Sequence, residues 1–491
     1  MSNETYKGLS TWEPPFIQPH LLGAINKFGK RSAKDNIATE AFGAPIDELV
    51  AEYGSPLFVI GEEKLRSNVR KIKGAFEQRY TLAQHGWSYK TNYTSAVCRV
   101  MDQEGSLAEV VSEFEYQKAR ALGVPGYRII FNGPHKSRAS IERAFAEGAF
   151  IQADHMDELR MLDEVAAHMG KQVDIGMRLN FDTGFTEPWS RFGFNLESGQ
   201  AHEAVKFISR SNNLRLTGLH SHIGTFVLEP RAYGQQVRIM CELMRNLEGL
   251  PNVDINSIDI GGGFPSQNAL QSIYLPPEQV VPPISRYADE VCEALLEGTR
   301  YRKESGRDLP RLIYESGRAM VDDAEVLITT VVGTKRLQDG RRAVILDGGT
   351  NLLFTAYWYN HPIKMTRQTI GATEDTVLYG PLCMNIDVVR NSIHLPALHQ
   401  GDRLVVGNVG AYNNTQWLQF IEYRPNIVMV GGNGDVHVVR RAEDLEVMLS
   451  QDVLPDHLLP EPCKQPASVS VLKPHTRVEL TKSGAQRVRE M

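Results

Sequence analysis

Cysteine is scarce in this chain. The five cysteines, Cys98, Cys241, Cys292, Cys383 and Cys463, are odd in number, widely scattered and never in a CxxC pair. That pattern excludes a disulfide framework or a structural zinc site as the basis of the fold and fits a reducing compartment. Long apolar runs are missing, and nothing approaches the roughly 18 residues of a membrane span. The opening MSNETYKGLSTWEPP has neither a basic n-region nor an apolar h-region, so a cytoplasmic protein without a membrane partner is expected. A basic excess is also absent. The formal net charge of −6 leaves no electrostatic footprint for nucleic acid. No internal repeat or low-complexity tract occurs.

What remains is an ordinary globular composition, 42% apolar and 23% charged, over 491 residues, enough for two domains. From about residue 56 to 320, short strand-like runs alternate with segments of helical period. The runs are PLFVIG, GWSYK, LAEVVS, YRIIFNG, FIQAD, VDIGMRLN, LTGLHSHIG, INSIDIGGGF and RLIYES. Such alternation predicts parallel βα units, and about eight of them close a (β/α)8 barrel of roughly 250 residues. A doubly wound sheet fits the same pattern. After about residue 322 the strands are joined by short turns, which predicts an antiparallel β domain. The expected organisation is an N-terminal extension over 1–45, a barrel over 46–320, a β domain over 321–445 and a polar extension over 446–491. The N-terminal segment is a candidate to lend the β domain a strand.

In a βα barrel the chemistry sits at the C-terminal strand ends. The polar residues there are Lys90, Glu109, Asp154, Arg178, His220, His222, Gly261 to Gly263, and Glu315 with Arg318. Singly, each has a structural explanation: an aspartate caps the next helix, a histidine fills a core, a GGG makes a turn. Together they supply a glycine cradle for an anion, an arginine fork, an acid, a histidine and a lysine. Pyridoxal phosphate needs such a set, since its aldehyde takes a lysine and its ring nitrogen an acid. A phosphosugar site uses many of the same parts.

The motifs YKTN, HSHIGT, DIGGGFP, ESGR, GPLCMNID and GAY occur in an order that resembles the pyridoxal-phosphate-dependent decarboxylases of alanine-racemase-like fold, the diaminopimelate and ornithine decarboxylase group. The resemblance covers roughly residues 45 to 445. It implies that Lys90 is the Schiff-base lysine, that His222 stacks on the pyridine ring, and that Thr225 and Gly261, Gly262 and Gly263 meet the phosphate. Glu315 would pair with the ring nitrogen, followed by Gly317 and Arg318, and Tyr412 would reach the phosphate from the β domain. Glu109 takes the place of an aspartate, and Ser316 that of a proline. Cys383 would be the catalytic cysteine, supplied across a homodimer interface to the other subunit's lysine.

The substrate-selecting positions depart from this pattern. The resemblance places substrate contacts at Thr355, Tyr359, Met384 and Asp387. Thr355 stands where diaminopimelate decarboxylases carry an arginine for the distal carboxylate, and Met384 where they carry a glutamate. Asn360, Glu374 and Asp375 are further positions considered for a distal amine. The expected activity is therefore decarboxylation of a basic amino acid, D-lysine or D-ornithine in particular. The alternatives are meso-diaminopimelate and a larger siderophore-type precursor. An amino-acid racemase is disfavoured by the cysteine motif, and an inactive regulatory relative by the retained Lys90, glycines, Arg318 and Cys383.

Overall fold

The computed structural model describes residues 37–458, except 272, 274, 369 and 370. Residues 1–36 of the expected N-terminal arm lie outside the described residues, as do Cys463 and the tail from 459 onward. Ile37 bridges Met365 of the β domain, and Ala41 and Ala44 pack with Leu57, Val59 and Ile328. Two compact units divide at Glu443/Asp444. The second contributes, among the described residues, a short helix at Leu445–Leu449 whose N-terminus is capped by the Asp444 carboxylate.

Eight strands form the barrel: Ala83–Ser88, Leu107–Val110, Ile129–Phe131, Phe150–Ala153, Val173–Asn180, Leu214–Ser221, Val253–Asp259 and Arg311–Tyr314. All neighbours run parallel, and the last strand pairs with the first, so the sheet closes. The strands read as near-continuous apolar runs because both faces are covered, by helices outside and by packed side chains within. Phe150 fills the interior where two neighbouring strands carry glycine. A Cβ added at Gly218 would stand 2.9 Å from its ring, and one at Gly176 only 1.8 Å from Gln152 Oε1. The amphipathic helix Pro230–Leu247, read from its three-and-four spacing, buries Val237, Met240, Cys241 and Met244 against the barrel and the helix Ile284–Gly298.

PLFVIG is the exception among the nine runs. Its strand Leu57–Gly61 belongs to the second sheet, lying between Glu325–Arg336 and Ile427–Val430. The N-terminal part of the chain thus lends the β domain a strand, from a segment later than residue 45. That domain is also mixed rather than purely antiparallel. Leu57–Gly61 runs parallel to Ile427–Val430, and Arg342–Leu346 parallel to Glu374–Tyr379. All five residues of Leu57–Gly61 are buried. A run without alternation fits either a barrel or a two-sided mixed sheet, so its pattern leaves its partners undetermined.

Candidate active site

The barrel register sets the polar strand ends side by side. Ser88 pairs with Glu109, while Arg178, His220 and Asp259 face one another at one level of three adjacent strands. Lys90 follows in a short 3-10 turn, Tyr89–Thr91, just past its strand. Its Nζ donates to Glu109 Oε2 over 2.8 Å. Glu109 is fully buried and also accepts from Ser88 Oγ at 2.5 Å and from Asn132 Nδ2 at 2.9 Å. The same Asn132 amide donates to Glu315 Oε1 at 2.6 Å. Some 38% of the Lys90 side chain is accessible, so the amine occupies a recess open to solvent rather than a sealed core.

Three carboxylates crowd this recess. Desolvation lowers the Lys90 pKa, but the charges of Glu109 and Glu315 outweigh it and hold the ammonium above the ordinary lysine value. Glu315 is pushed well above the usual carboxylate range by burial and then by the Asp259 and Glu109 charges. Burial raises Asp259 to about 7 against the opposing hydrogen bond from Gly261 N. His220 Nε2 lies 3.8 Å from Glu315 Oε2. Burial, with Arg178 as the next cause, drops the His220 and His222 pKa values well below normal, so both rings are neutral.

The glycine loop packs backbone against backbone. Gly261 and Gly263 have φ of +65° and +92°, and a Cβ on Gly263 would meet Gly224 O at 2.2 Å. Gly262 N–H donates to His222 Nδ1 at 3.0 Å. Arg318 begins a short helix after Gly317, its guanidinium 4.7 Å from the Tyr359 ring centre, 4.9 Å from that of Tyr412 and 6.0 Å from that of Phe226. Arg318 Nη1 is buried without a protein partner. Tyr412 has φ of +64° and is pinned by its N–H to Thr91 O at 2.8 Å. Thr225 is exposed beside this loop. A free guanidinium nitrogen, bare glycine backbone and a lysine amine in one recess are the donors that a phosphorylated aldehyde requires, so the residues fit pyridoxal phosphate.

The substrate-side residues are placed differently. Thr355 is 1% exposed, and its hydroxyl is committed to Asn413 Oδ1 and His361 Nε2, both at 2.9 Å. Asp387 is buried and accepts from Thr350 N, Thr350 Oγ1 and Leu382 N, holding the turn that carries Cys383 and Met384. On that turn Cys383 is exposed and Met384 half-buried. Glu374 pairs with Arg336 and Arg342. Arg178 stacks on Phe192 at 4.5 Å and stands 3.7 Å from Asp154.

Residues that the strand-end reading passed over include Asn132, Asp259 and Asp322. Asn132 and Asp259 close the apolar runs YRIIFN and INSID, the one signal that marked them. Asp322 accepts from Ser266 Oγ, from Asn268 Nδ2 at 3.2 Å and from Ala411 N at 3.3 Å. It ties the glycine-loop extension to the β domain, a role with no local signature.

A closed parallel barrel with a lysine, an acid and a phosphate cradle at its C-terminal end, joined to a β domain, defines a pyridoxal-phosphate enzyme. The family model for the pyridoxal-binding domain of pyridoxal-dependent decarboxylases matches residues 63–322, and the chain belongs to that family. It is 28% identical to the diaminopimelate decarboxylase of Archaeoglobus fulgidus over 442 residues, 87% of this chain and 100% of that protein. The diaminopimelate decarboxylase of Corynebacterium efficiens is 29% identical over 443 residues, 86% of this chain and 92% of that one. Among solved structures, diaminopimelate decarboxylase from M. jannaschii in complex with L-lysine superposes with a TM-score of 0.77 at 25% identity, covering 85% of this chain and 96% of that one. The enzyme from Helicobacter pylori complexed with L-lysine gives a TM-score of 0.72, also at 25% identity, over 82% and 98% of the two chains.

Proposed function

We propose that this pyridoxal-phosphate-dependent decarboxylase removes the α-carboxylate of a basic amino acid of D configuration, with D-lysine and D-ornithine as substrates. When bound, the cofactor supplies an aldehyde that exchanges amines and a ring that takes up the charge left at Cα when CO2 departs. Lys90 holds the aldehyde end, oriented by Glu109 and Ser88. Glu315, facing the ring nitrogen as a carboxylate, would hold a proton at that nitrogen so that the ring can take up charge. Arg318, Gly261 to Gly263, Thr225 and Tyr412 bind the phosphate, and His222 faces the ring. Lys90 or the partner subunit's Cys383 returns a proton to Cα, in a homodimer of the cytoplasm. Among the described residues no helix is long and apolar enough to cross a membrane.

One observation carries the choice of substrate. Thr355, which the resemblance puts where relatives carry an arginine for a distal carboxylate, has a neutral hydroxyl sealed against His361 and Asn413. meso-Diaminopimelate is the second reading, favoured by the names of the relatives. Measuring CO2 release from meso-diaminopimelate and from the D and L forms of lysine, ornithine and arginine separates the two. Turnover of D-lysine or D-ornithine with diaminopimelate inert is expected. Turnover of diaminopimelate alone overturns the proposal, and silence on the whole panel points to a larger precursor.

A further inference from the structure

Tryptophan is normally kept from water, yet Trp189 is 36% exposed at the barrel mouth. It lies on the segment between Val173–Asn180 and the short strand Phe194–Asn195. That segment is anchored at its far end by Asn180 Nδ2, which donates to Phe192 O at 2.6 Å and Gly193 O at 2.9 Å. Gly193 N–H reaches Asp154 Oδ1 at 3.2 Å. In its middle, Thr186 Oγ1 crosses to Ile223 O, one residue beyond His222, at 3.3 Å. Phe192 packs 6.2 Å from Trp189 and lies under the guanidinium of Arg191 as well as that of Arg178.

These anchors hold the indole against His222. Its ring centre is 5.1 Å from that of His222, with the planes inclined by 67°, an edge-to-face pair. On its other side His222 is fixed by Gly262 N–H, which makes Nδ1 the acceptor and leaves the hydrogen of the neutral ring on Nε2. A hydrogen bond at one nitrogen still allows the imidazole to tilt about it. A second, non-collinear contact removes that freedom.

We infer that Trp189 is a positioning residue: its edge-to-face contact locks the plane of His222 so that the imidazole face is presented to the cofactor ring. This rests on the cofactor reading above. The contact is aromatic and directional, so an aliphatic side chain of similar reach does not replace it.

The test uses the full chain reconstituted with pyridoxal phosphate. Cofactor affinity is titrated, and the visible circular dichroism of the bound cofactor is recorded as the signature of ring orientation. An aromatic pair of this kind corresponds to roughly a three- to tenfold change in affinity. Trp189→Leu is expected to weaken cofactor binding by that factor and to diminish the visible dichroism, with thermal stability unchanged. Trp189→Phe is expected to restore most of both. In a cycle with His222→Ala, the Trp189→Leu loss should vanish, because both changes remove one device. Wild-type affinity and dichroism in Trp189→Leu, or a loss that adds to that of His222→Ala, overturns the inference alone. A wild-type chain that takes up no cofactor overturns the cofactor reading as well.

Discussion

Lys90 Nζ stands 2.8 Å from Glu109 Oε2, and Glu109 is joined through the single amide of Asn132 to Glu315. Lys90 and Glu315 are therefore two ends of one electrostatic unit. A change at either end moves the proton affinity of the other.

Glu109→Gln removes the largest of the influences that raise the Lys90 pKa against desolvation. The free amine then forms at lower pH, because the protonated state loses its counter-charge. The pH midpoint for reaction of the cofactor-free protein with an amine reagent should shift downward by about one to two units. An unshifted midpoint would show that the Glu109 charge does not reach the amine.

Arg318 has a buried nitrogen without a protein partner, and it is read as the phosphate fork. A charge-assisted hydrogen bond is worth about 1.5–3 kcal/mol. Arg318→Ala should therefore weaken pyridoxal phosphate roughly ten- to a hundredfold, while pyridoxal without the phosphate loses little. Equal losses for the two ligands would place Arg318 elsewhere in the mechanism.

Glu325 is buried between Asn92 and Asn414, and burial raises its pKa to about 8. Between the unfolded value near 4.3 and about 8 the folded protein holds a proton that the unfolded chain has released. Stability contributed by this group therefore falls as pH rises through that window. Thermal melts of Glu325→Gln from pH 5 to 8 should show a flatter decline of Tm than the wild type. Parallel profiles would refute the assignment.

The Thr355 hydroxyl bonds both His361 and Asn413 inside the protein. Thr355→Val strands His361 Nε2, while Asn413 Oδ1 keeps the backbone N–H of residue 355 at 3.1 Å. The cost of about 1–3 kcal/mol should appear as a lowered denaturant midpoint. KM is expected to change by less than about threefold, since the hydroxyl points into the network. A large KM effect with unchanged stability would instead make Thr355 a direct substrate contact.

Much of the site was legible because its parts are local. Lys90, Glu109 and Glu315 each close or follow an apolar strand, and DIGGGFP announces a loop that only glycine accommodates at Gly263. Parallel βα units place such residues at one end of a barrel whatever their separation along the chain. Local pattern therefore marked βα units and the polar strand ends, and the order of the motifs, through the family they resemble, chose the barrel over a doubly wound sheet and pyridoxal phosphate over a phosphosugar. Tertiary structure decided what depends on distant partners. Leu57–Gly61 joins the second sheet because strands some 270 and 370 residues away, beginning at Glu325 and Ile427, complete its two ladders. Thr355 is sealed by Asn413, 58 residues on. Trp189 meets His222 only because the barrel brings the two segments together. Periodicity reports which face of an element is buried, while a hydrogen-bond or aromatic partner is chosen by packing in three dimensions.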